Sequence, residues 1–184
     1  NALVTFPTGD PADMTALTEA EQQRLKAMKN FQDDMSAYMQ LQGTRPQTLA
    51  HALADSPAGQ LAWIVEKFKE WTDSTKDLPE DAVNRDRMLT NISIYWFTDT
   101  ARSVANSYYE RFHDAGMWAP KPKGTVPTGV AVFTTADFAI RRFAEKAHHI
   151  THWSEFYRGG HFPALEVPDL LAEDIREFFG SLSK

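Results

Sequence analysis

The run Gly129-Val130-Ala131-Val132-Phe133 constrains the fold more than any other stretch of this chain. A short, unbroken, β-branched apolar segment bounded by turn residues is what a strand buried on both faces looks like, and such strands belong to parallel sheets. Ile150 to Phe156 reads as a second strand. Between the two, residues 136–148 carry a helical period through Phe138, Ile140 and Phe143. Pro168 to Leu182 repeats that period, with Leu170, Leu171, Ile175, Phe178 and Phe179 on one face. The last third therefore alternates strand, helix, strand, helix. Two parallel strands do not make a stable sheet alone, so this segment is expected to be the edge of a larger sheet that lies mostly outside the chain.

The first two-thirds reads as helical. Residues 1–17 form an extended lead-in, because Pro7, Gly9 and Pro11 oppose a regular helix. Thr18-Glu19-Ala20-Glu21 is a capping-box pattern, predicting a helix to about Asn30 that continues or restarts through Gln42, with Gly43 as its stop. Thr44-Arg45-Pro46-Gln47 and Ser56-Pro57 signal two further starts, each with proline in the first turn. Leu61, Ile64, Val65, Phe68 and Trp71 then recur at helical spacing, with Glu66, Lys67, Lys69 and Glu70 turned outward. Residues 73–84 read as a loop around Pro79. One long helix is expected from Asp86 to His113, ended by Gly116 and Pro120. Lys121-Pro122-Lys123-Gly124 is a linker, which divides the chain into a helical region, 1–121, and an α/β region, 122–184.

Composition removes several function classes. With 25 acidic against 19 basic side chains the net charge is −6, which argues against a general nucleic-acid binder and against attraction to an anionic membrane. No apolar stretch is long enough to span a bilayer, and no basic leader precedes an apolar run at the N-terminus, so neither a membrane segment nor a signal peptide is expected. Without cysteine there is no disulfide, no zinc-thiolate site and no cysteine nucleophile. That fits a reducing compartment, and a cytoplasmic protein is expected.

Chemistry concentrates at the ends of the two strands. His161 follows Gly159-Gly160 after the second strand, at the sheet edge where open α/β sheets bind ligands. An incidental exposed histidine on a glycine turn is the alternative. Asp137 lies just beyond the first strand; if the strands are neighbours, it could orient His161 through a ring N–H. Its plainer role would be to neutralise a helix N-terminus. Glu145 and Glu155 are rival acids, neither at a strand mouth. An acid followed by a histidine matches the order nucleophile, acid, histidine of α/β-hydrolases, but no G-x-nucleophile-x-G pentapeptide occurs in the chain. His148, His149 and His152 lack a third ligand at metal spacing, and a solvated helix end accounts for them. Tyr38, Tyr108 and Tyr109 read by default as half-buried packing residues. Two phenols converging on one point would be different, being neutral donors suited to an oxygen that becomes an alkoxide.

Five collinear motifs give these residues a context. Tyr38-Met39-Gln40-Leu41-Gln42-Gly43-Thr44-Arg45-Pro46-Gln47-Thr48 resembles the lid segment of microsomal-type epoxide hydrolases. The resemblance extends to Asp55-Ser56-Pro57-Ala58-Gly59 with Trp63-Ile64-Val65-Glu66-Lys67-Phe68, to Tyr95-Trp96, to Pro127-Thr128-Gly129-Val130 and to Arg158-Gly159-Gly160-His161-Phe162. Residues 1–30 carry no signature. The resemblance implies an α/β-hydrolase fold, with 1–121 the helical lid and its lead-in and 122–184 the C-terminal strands and helices of the core sheet. It also implies hydrolysis of an epoxide to a vicinal diol through an alkyl-enzyme ester on an aspartate.

Matched by position, Tyr38 and Tyr108 take the roles of donors to the epoxide oxygen, with Tyr109 the alternate to Tyr108. His161 takes that of general base, and Asp137 that of the acid orienting it. Thr134-Thr135-Ala136 makes a longer approach to the acid than is usual, and Pro163 replaces a commoner small residue. The nucleophilic aspartate would lie in an N-terminal half that this chain does not contain, and that half is the expected partner, with a homodimer left open. No cofactor and no metal is implied. A small apolar epoxide is the implied substrate, and Trp63, Trp71, Trp96, Phe97 and Trp118 either line its pocket or pack the lid. A dehalogenase or esterase on the same scaffold, and a ligand-binding relative without catalysis, are the competing readings.

Overall fold

The computed structural model describes residues 11–15, 17–117, 119 and 122–182. Most of the expected lead-in, together with Trp118, Pro120 and Lys121, lies outside the described residues. In chain order the elements are α1 (Pro11–Thr15), α2 (Glu19–Asn30), a π-helical turn (Phe31–Met35), α3 (Ala37–Thr44), α4 (Pro46–Asp55) and α5 (Pro57–Trp71). There follow α6 (Pro79–Ala82), α7 (Arg85–Phe97), α8 (Ala101–His113) and a 3-10 turn (Ala115–Met117). The last part is β1 (Pro127–Phe133), α9 (Arg141–Ala147), β2 (His149–Phe156), α10 (Pro163–Glu166) and α11 (Pro168–Leu182).

Local chemistry explains most of these boundaries. The capping box at Thr18 forms as expected: its N–H donates to Glu21 Oε2 at 2.8 Å, and the Glu21 N–H donates to Thr18 Oγ1 at 3.2 Å. The expected long helix is instead two, α7 and α8, broken at Thr98-Asp99-Thr100. Thr98 Oγ1 donates back to Ile94 O at 2.6 Å, and Asp99 adopts a left-handed φ of 52°. Short polar side chains compete in this way for the backbone bonds a helix needs. Pro11 and Pro79 open short helices rather than preventing them, because proline fits a first helical turn. The helix expected over 136–148 shortens to α9, since 134–140 is turn and irregular backbone and the first helical residue is Arg141.

The described residues form two compact units. One gathers the residues before Asn30, the segment Trp71–Asp77 and the residues after Pro120. Its centre is the parallel pair β1–β2, in register from Val130 opposite Trp153 to Phe133 opposite Phe156, with a bulge between Thr128 and Gly129. Val130, Val132 and Ala139 are buried together, with Ile150 and Trp153 packed against them. Phe143 and Ala144 of α9 are also buried. Arg24 of α2 reaches into this unit, donating to Ala139 O at 2.9 Å and pairing with Glu155 at 2.6 Å.

The other unit holds Asn30–Glu70 and the described residues from Leu78 to 119. Leu49 and Leu53 of α4 bury against Ala101 of α8, with Trp63 alongside. Gly43 of α3 lies so near α8 that a Cβ there would fall 2.3 Å from the Phe112 ring, so only glycine permits this approach. The fully buried Gln60 of α5 donates to Ile92 O of α7 at 3.1 Å, which offsets the cost of a buried amide.

Phe143, 2% exposed, is among the largest fully buried side chains. Phe143→Ala is expected to lower the stability of the chain by ~3–5 kcal/mol in urea titrations. A loss below about 1 kcal/mol would place the core elsewhere.

Candidate active site

The turn after β2 is built around two glycines. Gly159 has φ +82°, a conformation L side chains rarely adopt. Gly160 packs against the segment after α5 so closely that a Cβ would lie 2.6 Å from Trp71 O. Across this approach the His161 N–H donates to Trp71 O at 2.7 Å. The imidazole itself sits edge-on to two rings, Trp71 at 5.3 Å and Phe162 at 5.0 Å between centroids. Glycine at 160 is therefore what lets the histidine reach the Trp71 backbone.

Asp137 arrives from the other strand. Thr134 Oγ1 donates to Phe156 O at 3.0 Å and Thr135 Oγ1 to Gly159 O at 2.6 Å, so the longer approach noted in the sequence is anchored to the exit of β2. Asp137 Oδ2 accepts the Phe133 N–H at 2.8 Å. It does not cap a helix, since α9 begins only at Arg141. Asp137 and His161 line one cavity of about 230 Å³, together with Ala131, Phe133, Gly160 and Pro163.

No hydrogen bond joins the two side chains among the described residues, but their charges are coupled. Burial pushes the Asp137 carboxyl above its ordinary value, while the Phe133 N–H and the His161 charge pull it down. The imidazole keeps an exposed edge, yet crowding by its surroundings holds its pKa below the ordinary 6.5, with Asp137 opposing that shift. The result is a histidine kept neutral beside a carboxylate, which can accept a proton from water. The rival acids are engaged elsewhere: Glu145 pairs with Arg141 at 2.7 Å, and Glu155 with Arg24.

In the helical unit, Tyr38 of α3 and Tyr108 of α8 meet edge-to-face with ring centroids 6.0 Å apart, and their hydroxyls share a hydrogen bond. Phe31 flanks Tyr38 at 6.5 Å, and the Lys67 ammonium lies 4.9 Å from its ring centroid. Burial, then Tyr108 and then Glu70, push the Tyr38 phenol well above its ordinary 10, so it stays protonated and can donate. Tyr109 points away from this pair and stacks on His113 at 4.0 Å. Of the five aromatics weighed as a pocket lining, Trp63 packs against the α4–α8 core and also lines a cavity with Tyr38, Trp71 lies beside His161, Trp96 is half-buried, Phe97 is 84% exposed and Trp118 is outside the described residues.

The histidine cluster is a correction. His149 and His152 lie on β2 rather than at a solvated helix end. His152 Nε2 is 2.7 Å from the buried Asp174 and 3.0 Å from Ser154 Oγ, tying β2 to α11. Acid and hydroxyl share one ring nitrogen, so this is not a nucleophilic relay, which needs them on opposite nitrogens. Two carboxylates that the sequence did not single out belong to the His161 turn. Asp73 Oδ2 accepts the Gly159 N–H at 3.1 Å, and Glu166 accepts the Asp73 N–H at 2.8 Å and the Phe162 N–H at 3.0 Å. The Glu five residues after the histidine, at the end of a proline-started turn, was the one local signal for this arrangement.

No family model matches the chain. It is 46% identical over 99% of its length to a relative from Stigmatella aurantiaca provisionally named an epoxide hydrolase, covering 40% of that protein. It is 39% identical to epoxide hydrolase 1 of Sus scrofa, over 81% of this chain and 35% of the relative. The structure of Aspergillus niger epoxide hydrolase superposes on 98% of this chain and 44% of its own, with TM-score 0.78 and 29% identity. Juvenile hormone epoxide hydrolase from Bombyx mori gives TM-score 0.70 and 28% identity, over 79% and 39%. The chain thus spans 40% or less of the length of these curated relatives. Among the described residues no helix is long and apolar enough to cross a membrane.

The coupling between Asp137 and His161 has a measurable sign. The imidazole C–H resonance of His161 is expected to titrate with a midpoint below 6.5. Removing the opposing negative charge in Asp137→Asn should lower that midpoint further. A midpoint above 6.5, or one that rises in the variant, would contradict this electrostatic arrangement.

Proposed function

The chain belongs to the epoxide hydrolase family and carries the lid and C-terminal core portion of the α/β-hydrolase fold, and from that premise we propose that it supplies the general base, the acid beside it and the two phenol donors for hydrolysing an apolar epoxide to a vicinal diol, but not the nucleophile. The nucleophile of this reading is an aspartate in the part of the relatives that the chain does not span. Its carboxylate oxygen attacks an epoxide carbon, the carbon–oxygen bond of the ring breaks, and an ester forms. The ring oxygen takes its proton from the Tyr38–Tyr108 pair. A phenol with a pKa above the ordinary range remains protonated until that alkoxide develops.

The second step belongs to His161 and Asp137. Neutral His161 takes a proton from water as the hydroxide adds to the ester carbonyl, and Asp137 stabilises the imidazolium that forms. Collapse releases the diol as an alkoxide, which takes the imidazolium proton. The carboxylic acid left on the nucleophile returns its proton to the phenolate, and all groups are restored.

The paired phenols carry this reading. A histidine beside a carboxylate serves ester and haloalkane hydrolysis equally well, but neither reaction needs a packed pair of phenols, one of them held protonated by burial. In the full-length polypeptide, Tyr38→Phe with Tyr108→Phe is expected to lower epoxide turnover at least ~10³-fold, removing two oxyanion donors at about 10²–10³ each less their overlap. Hydrolysis of an activated ester or haloalkane offered as an alternative substrate would be spared. Unchanged epoxide turnover by the double variant would refute the role of the pair.

A further inference from the structure

The His161 imidazole has no side-chain hydrogen bond to Asp137, so something else must set its position. Three hydrogen bonds join the segment Trp71-Thr72-Asp73 to the 159–166 turn, and a fourth closes the turn on itself. Trp71 O accepts the His161 N–H at 2.7 Å, and Asp73 Oδ2 accepts the Gly159 N–H at 3.1 Å. Glu166 Oε2 accepts the Asp73 N–H at 2.8 Å, while Glu166 Oε1 accepts the Phe162 N–H at 3.0 Å. The Gly160 N–H also donates to the Glu166 carboxylate. Every amide from Gly159 to Phe162 is thereby engaged, and a single carboxylate holds both sides. Asp73 is buried at 7% exposure, and its other oxygen accepts the N–H and hydroxyl of Thr75.

We propose that Glu166, together with Asp73, is a positioning residue for the general base: it fixes the Trp71–Asp73 segment against the His161 turn and so sets where the imidazole stands relative to Asp137. This rests on the reading of His161 as the base of ester hydrolysis. The clamp acts through the backbone on both flanks of the base. His161 N–H is held by the segment, the next amide by Glu166, and the ring rests edge-on against the stacked Trp71 and Phe162. Neither carboxylate reaches the reacting atoms. Both oxygens of Glu166 accept from different N–H groups, so a carboxamide cannot replace it: one oxygen becomes an NH₂ facing a donor, and one side of the clamp is lost. A shorter aspartate cannot span the two sides.

The two chemical steps separate positioning from scaffolding, because only the second uses the base. With full-length enzyme in excess over an epoxide, epoxide loss reports ester formation and diol appearance reports its hydrolysis. In Glu166→Gln, epoxide loss is expected within about two-fold of wild type, while diol appearance falls ~10²-fold, the cost of a displacement of about 1 Å. The ester should accumulate between the two phases, detected as substrate mass on the protein. Asp73→Asn should show the same split more weakly and guards against a Glu166 variant that fails to fold. Equal slowing of both steps in both variants, or no change in either, would overturn the positioning role. Wild-type protein that consumes no epoxide would refute the functional reading itself, a result distinct from failure of the clamp.

Discussion

The parallel pairing of β1 and β2 is the constraint on which the rest depends. Its register sets Phe133 opposite Phe156, and the two rings stack at 5.1 Å where the strands end. Whatever leaves the two strands must then leave side by side. Thr134 and Thr135 fasten the first exit to the second through Phe156 O and Gly159 O, and this places Asp137 over the turn that carries His161. A residue 4 positions beyond one strand and another 5 beyond its neighbour become partners because the backbone ladder fixes their origins. The same pairing brings Asp137 and His161 to one edge of the sheet, because parallel strands have all their C-terminal ends there.

Electrostatics divides the labour between the two sets of groups. Crowding around His161 favours the neutral imidazole, the form a base requires, and Asp137 limits how far that shift goes. Burial of Tyr38 acts on a phenol in the opposite sense, favouring the protonated donor. One physical effect, loss of water around an ionisable group, thus favours the neutral form of both the imidazole and the phenol. The mutual arrangement of Lys67, Glu66 and Glu70 beside Tyr38 belongs to the same balance. Burial works against the ammonium, but its bonds to the two carboxylates outweigh that and keep it charged.

Much of this was legible in the amino-acid order, because it rests on local rules. The first strand announced itself as a β-branched apolar run, the capping box at Thr18 formed as written, and His161 stood out by following two glycines. Other features were not local. The break at Asp99 interrupts a smooth apolar period, since Thr98 and Asp99 satisfy the helix end with side-chain and left-handed backbone geometry that periodicity does not register. The shortening of α9 follows from bonds between Thr134, Thr135 and the exit of β2, which no helical pattern within 136–148 could disclose. His152 looked solvated until α11 supplied Asp174, 22 residues away. Asp73 and Glu166 were hidden for the same reason: their meaning depends on a backbone contact between segments separated by nearly half the chain, and Gly160 recorded that contact only as a small residue.

The central claim is that His161 is the base that releases a covalent intermediate. Its most direct test is the intact mass of full-length His161→Gln after incubation with a small apolar epoxide. The protein is expected to gain one substrate mass and to keep it, with no release of diol while the mass persists. An unmodified protein that continues to release diol would contradict the account.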